Sequence, residues 1–183
     1  MARALVVVDV QKAFDGPGWG PRNNPSFEDN VEALIAAWRE RGEPIVFVRH
    51  DSVEPGSPLA AGTAGNELKD IVSGEPDLTV VKHVNSAFHG EPGLEEWLRE
   101  AGLEQIAICG IQTNFCCETT ARVGSNLGFD VAFALDATHT FDLTAPDGGT
   151  ITADELARVT ATNLASEFCE VVTAAELLGS ASR

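Results

Sequence analysis

Six short apolar runs spread along the chain constrain its fold more than any other feature. They are Ala4-Leu-Val-Val-Val-Asp9, Ile45-Val-Phe-Val48, Leu78-Thr-Val-Val-Lys82, Gln105-Ile-Ala-Ile-Cys109, Val131-Ala-Phe-Ala-Leu135 and Glu170-Val-Val172. Each has the length of a strand, and none alternates cleanly between apolar and polar residues. A strand with one wet face alternates; a nearly continuous run means that both faces are covered, as in a parallel sheet with helices packed on each side. The segments between the runs supply such helices. Val31, Leu34, Ile35 and Trp38, and again Leu94, Trp97, Leu98 and Ala101, recur at helical spacing and form one buried stripe each, which places both tryptophans in the core. Helix starts are read at Ser26 with Asp29, at Pro92, and at Thr152 with Glu155, and stops at Gly42, Gly102 and Gly128.

A chain of 183 residues, 44% of them hydrophobic, has the size for one well-buried core, so a single domain over residues 1–183 is expected. Twelve basic against 28 acidic residues give a net charge of −16, which repels nucleic acid and anionic membrane alike. No apolar run approaches the roughly 20 residues of a membrane span, and no signal peptide opens the sequence, so a cytoplasmic protein is expected. Four cysteines, at 109, 116, 117 and 169, lack paired zinc-ligand spacing and the density of a disulfide scaffold, and they read as reduced thiols. Two stretches resist regular structure, Asp15 to Pro25 and His50 to Asn66. Both follow strands, where loops of an open α/β sheet form the ligand crevice, which makes them candidate walls or lids.

Charge and nucleophile then fall at strand ends. Asp9 closes the first run and Lys82 the third. Cys116 follows the fourth run in a polar turn that leads into a helix, where the helix dipole is expected to lower the thiol pKa and free N–H groups can receive an oxyanion. A thiol, a carboxylate and an ammonium together would make a nucleophile, an acid/base and a group that orients both.

Three segments carry a family resemblance: Asp9-Val-Gln-Lys-Ala-Phe14, Lys82 followed by Ser86-Ala-Phe88, and Gly110-Ile-Gln-Thr-Asn-Phe-Cys-Cys-Glu-Thr-Thr-Ala-Arg122. In this order, over nearly the whole chain, they resemble the isochorismatase-like cysteine hydrolases, which include nicotinamidases and N-carbamoyl amide hydrolases. The resemblance implies a three-layer α/β/α fold with a six-stranded parallel sheet in the order 3-2-1-4-5-6. It implies Cys116 as nucleophile, Asp9 as general base and acid, and Lys82 as third member. It also implies a cis peptide between Ile111 and Gln112, with the amides of Gln112 and Cys116 as oxyanion hole. Cys117 falls where relatives carry an aliphatic residue and reads as a structural neighbour. Family members are commonly oligomers, so a homo-oligomer is expected.

The metal loop of nicotinamidases, Asp, one residue, His, is not matched by Arg49-His50-Asp51-Ser52, so neither metal nor other cofactor is expected. A retained cysteine favours acyl transfer on a small amide or ureide over vinyl-ether cleavage of the isochorismatase type. Phe14, Trp19, Phe88 and Phe115 are candidates for an apolar pocket around that substrate. A thiol redox or sensor protein cycling Cys116 and Cys117 is the competing class.

Overall fold

The computed structural model describes residues 2–179. The outermost positions of the expected 1–183 domain, residue 1 and residues 180–183, lie outside the described residues.

Six strands form one parallel sheet: β1 (Arg3–Val8), β2 (Ile45–His50), β3 (Leu78–Lys82), β4 (Gln105–Ile111), β5 (Asp130–His139) and, last in the chain, β8 (Glu170–Val172). Their order is β3-β2-β1-β4-β5-β8. This is the expected order, with the sixth strand counted eighth because a small antiparallel hairpin, β6 (Leu143–Thr144) with β7 (Thr150–Ile151), precedes it. The helices are α1 (Phe27–Arg41), α2 (Leu94–Glu100), α3 (Glu118–Asn126), α4 (Ala153–Glu167) and α5 (Ala174–Gly179). None of them is long and apolar enough to cross a membrane.

The continuous apolar runs exist because the sheet has two cores. On β1, Leu5 and Val7 enter a cluster with Val31, Leu34, Ile35 and Trp38 of α1 and Leu177 of α5, whereas Ala4, Val6 and Val8 face Leu94, Leu98, Ala121 and Leu164 of α2, α3 and α4. Each fully buried Val or Leu contributes about 1.5–3 kcal/mol, so neither face tolerates a polar residue cheaply. Trp38 is 1% exposed and its indole donates to the Arg3 carbonyl at 2.7 Å, a core role as expected.

Helix ends follow the sequence signals with two exceptions. The Thr152 hydroxyl accepts from the Glu155 amide while the Glu155 carboxylate accepts from the Thr152 amide, a complete capping box. Gly42 ends α1 at φ 64°. Ser26, by contrast, occupies the cap position of α1 without a side-chain bond. Pro92 does not open α2; it lies in a cis Glu91–Pro92 bond ahead of Gly93, and the helix starts at Leu94.

Register sets up the site. Val8 of β1 pairs with Gly110 of β4, and on the other side with Val48 of β2, while His50 pairs with Lys82 across β2 and β3. The strand ends therefore deliver Asp9, His50, Lys82 and the turn after Ile111 to the carboxyl end of the sheet. Gly110 permits the approach. At φ 132° it sits beside the Val8 backbone, where a β-carbon would collide with the Val8 carbonyl.

Candidate active site

Asp9 leaves β1 at φ 51°, a left-handed conformation that aspartate tolerates better than bulky or branched residues do. That turn aims its carboxylate across the sheet edge at Lys82. The Lys82 ammonium donates to Asp9 Oδ2 at 2.6 Å, and the side chains are 0% and 1% exposed. The same ammonium lies 3.4 Å from Cys116 Sγ, 3.2 Å from His50 Nδ1 and 3.1 Å from the Val84 carbonyl oxygen. Asp9 Oδ1 is buried without a nitrogen or oxygen donor, and the carboxylate is within hydrogen-bonding reach of the Cys116 thiol. Three side chains separated by 73 and 34 residues in sequence thus meet around one nitrogen.

Burial governs their titration. It pushes the Asp9 carboxyl up, and the Lys82 charge and hydrogen bond pull it back, which leaves a carboxylate more basic than a free one. Burial also works against the Lys82 charge, but Asp9 and Cys116 outweigh it and the net movement is upward. For Cys116, burial and then the Asp9 charge push the thiol up to about 12, against a smaller opposing pull from Lys82. The expected lowering by a helix terminus is corrected accordingly. Cys116 sits inside a wide turn, Thr113–Cys117, one step before α3 begins, in a half-buried setting next to a carboxylate. Burial and Asp9 thus favour the protonated sulfur, which calls for a base to draw its proton away.

The remaining expected residues separate. Gln112 ends the strand side of the turn; the Ile111–Gln112 peptide is cis, and the Gln112 carbonyl accepts from the amides of Phe115 and Cys117, each at 3.2 Å. Phe14 is buried and packs on Trp19, ring centroids 4.8 Å apart, with Phe141 beyond it at 5.5 Å from Trp19. Trp19 is fixed by its indole, which donates to the Ala13 carbonyl at 2.8 Å. Ala13, Gly16, Pro17, Gly18, Trp19 and Pro58 line a largely apolar cavity of about 360 Å³ where the two expected loops meet. Phe88 turns away from the crevice: it stacks on Phe129 at 5.6 Å and covers Gly124, as part of the α2/α3 core. Phe115 stands in solvent at 39% exposure. All four cysteines are free, and Cys117 points into the core, 0% exposed. That placement gives a Cys116–Cys117 redox pair no support.

Two functional residues had no role in the sequence reading. Gln11 is fully buried; its amide donates to the carbonyls of His50 and Asn66, and its oxygen accepts from the His50 amide. Asn66 in turn donates to the His50 and Leu59 carbonyls and to Asp51 Oδ1. Together they clamp the loop after β2 onto the end of β1 and fix His50. Gln11 stood in the Asp9 to Phe14 motif, but a polar residue three positions past a strand gives no sign of burial.

Asp9, His50 and Cys116 offer donor atoms within 4.8 Å of one another, close enough to share a metal ion. The Lys82 ammonium already contacts all three residues. A divalent ion would have to displace a buried lysine from its carboxylate, and the donor set does not fit one.

A family model described as the isochorismatase domain matches residues 3–176. The chain belongs to the isochorismatase family. The family protein YrdC of Bacillus subtilis, itself uncharacterized, is 34% identical over 177 residues, covering 96% of this chain and 94% of that protein. Nicotinamidase 3 of Arabidopsis thaliana is 32% identical, covering 92% of this chain and 83% of its own. Among solved structures, an isochorismatase-family protein from Chromobacterium violaceum superposes with a TM-score of 0.92 at 40% identity, over 97% of this chain and 92% of the other. The three-layer fold and sheet order are those of the family.

Proposed function

We propose that this isochorismatase-family protein is a cysteine hydrolase that cleaves the C–N bond of a small amide or ureide through a thioester on Cys116. One observation carries the reading: a buried ammonium 2.6 Å from a carboxylate and 3.4 Å from a thiol, three groups from three separate strand ends. The relative named as a nicotinamidase, an amidase by its name, points to the same bond class.

The chemistry follows from the titration states. Asp9, made more basic by burial, takes the thiol proton as Sγ attacks the substrate carbonyl carbon. The Lys82 ammonium stabilises the sulfur as it gains charge, and it holds the carboxylate in place. The developing oxyanion is received by the backbone amides of Gln112 and Cys116. Collapse of the tetrahedral intermediate breaks the C–N bond, and Asp9 returns its proton to the departing amine or ammonia. A water that gives a proton to Asp9 attacks the thioester. Its oxygen joins the acyl carbon, the C–S bond breaks, and the proton returns to sulfur, releasing a carboxylic or carbamic acid. No step calls for a cofactor.

The test is acid-quench mass spectrometry of the protein mixed with a panel of small amides and ureides. The acyl mass is expected on the peptide containing Cys116, rising and then decaying as substrate is exhausted. Turnover without any such adduct, at quench times shorter than one cycle, would refute the covalent route.

A further inference from the structure

Lys82 poses a counting problem. An ammonium has three N–H groups, yet four acceptors surround Nζ: Asp9 Oδ2 at 2.6 Å, the Val84 carbonyl at 3.1 Å, His50 Nδ1 at 3.2 Å and Cys116 Sγ at 3.4 Å. One of them always goes without. Asp9 carries the charge and makes the shortest contact, and Val84 offers a fixed main-chain oxygen, so the third N–H is contested between imidazole and sulfur.

An ammonium only donates. His50 Nδ1 is therefore an unprotonated acceptor and the ring proton sits on Nε2. The ring is held there by its backbone: His50 pairs with Lys82 across β2 and β3, its amide donates to Gln11 at 2.9 Å, and its carbonyl accepts from Gln11 and Asn66, each at 3.0 Å. The charged and titratable groups around it are Lys82 from β3, Asp9 from the end of β1, Asp51 beside it and His83 after β3. Burial first, then Lys82, lowers the His50 pKa, which keeps the ring neutral.

We propose that His50 is a positioning residue that holds the third N–H of Lys82 while Cys116 is a thiol and yields it to the sulfur when Cys116 becomes a thiolate. The proposal rests on the cysteine-hydrolase reading above. A thiol is a weak acceptor, a thiolate a strong one and a thioester again a weak one. As the thiol proton passes to Asp9, the N–H turns from Nδ1 to Sγ; once the sulfur is acylated it turns back. Lys82 keeps all three protons throughout, and only a hydrogen bond changes partner. Without His50, the third N–H of the resting enzyme would be left with only the weak thiol acceptor, and the thiolate would be the state that satisfies it fully.

The consequence is measurable as reactivity. In His50→Leu, which fills the space without an acceptor, Cys116 should react with iodoacetamide about 10-fold faster than wild type at a fixed, mildly alkaline pH, the gain expected of a thiol pKa about one unit lower. In His50→Asn, whose Oδ1 can stand in for Nδ1, the rate should stay within about 2-fold of wild type, because the acceptor is retained. Equal rates in the two variants, whether raised or not, would overturn the proposal. If His50→Leu does not fold, His50→Ala gives the same contrast with and without added imidazole, and imidazole must slow the reaction back. A failure of the hydrolase reading shows elsewhere, as undiminished turnover in Cys116→Ala. Unshifted alkylation alongside lost turnover in that variant would sink the role of His50 alone.

Discussion

Lys82→Met should destabilise the protein in a way that depends on pH. Lys82 and Asp9 are both buried, and Lys82 is the charged partner of the Asp9 carboxylate. Removing the ammonium leaves two options. A charged Asp9 without its partner costs about 3–5 kcal/mol, the usual penalty for half of a buried ion pair. A neutral Asp9 must be protonated in the folded state. With an ordinary unfolded pKa of ~3.9 and ~1.36 kcal/mol per unit, that costs ~4 kcal/mol at about pH 7 and only ~1.5 kcal/mol at about pH 5. The sign follows from proton counting: the folded carboxyl of the variant keeps its proton while the unfolded one loses it, so stability falls as pH rises above ~3.9. Urea unfolding of variant and wild type, paired at each pH, measures the difference. The deficit should shrink by about 2 kcal/mol or more from pH 7 to pH 5, and Asp9→Asn in the Lys82→Met background should recover most of it at pH 7. A deficit that is small, or constant with pH, would refute the buried-pair account.

Gly110→Ala drives a β-carbon into the Val8 carbonyl at a φ of 132°, so a loss of about 3 kcal/mol or more is expected, read as a fall of roughly 6–12 °C in melting temperature. Thr152→Ala removes one half of the α4 capping box and should lower stability by about 1 kcal/mol in urea. Glu28 accepts from Arg22 at 2.6 Å and Lys69 at 2.9 Å; the Arg22 hydrogen bond leads in lowering its pKa to about 2. The stabilisation is complete above the ordinary value of 4.5 and is lost as pH falls towards 2, so Glu28→Gln should flatten the acid limb of the stability curve between those two values. An acid limb identical to wild type would contradict that assignment.

Much of this was legible in the chain because parallel-sheet strands buried on both faces leave continuous apolar runs. The order of the sheet and the roles proposed for Asp9, Lys82 and Cys116 came from the family resemblance that three motifs carry, and the register of β1 against β4 explains why those strand ends converge. Local signals were weaker. Ser26 has a capping residue's chemistry but makes no capping bond, and Pro92 occupies a turn rather than a first helical residue. An aromatic in a motif does not declare its direction, so Phe88 could be placed near the site but not assigned to the core behind it. The roles of buried Gln11 and Asn66 and of half-buried His50 depend on three-dimensional neighbours 15 to 55 residues away, which no local pattern carries. The thiol titration needed burial as well: a turn before a helix suggested a lowered pKa, and desolvation beside Asp9 reversed it.

The most direct measurement is the release of ammonia or amine from a panel of small amides and ureides by wild type and Cys116→Ala side by side, with both variants shown to be folded. The account predicts turnover of at least one substrate by wild type and its loss by several orders of magnitude in Cys116→Ala. Equal release by the two proteins would contradict it.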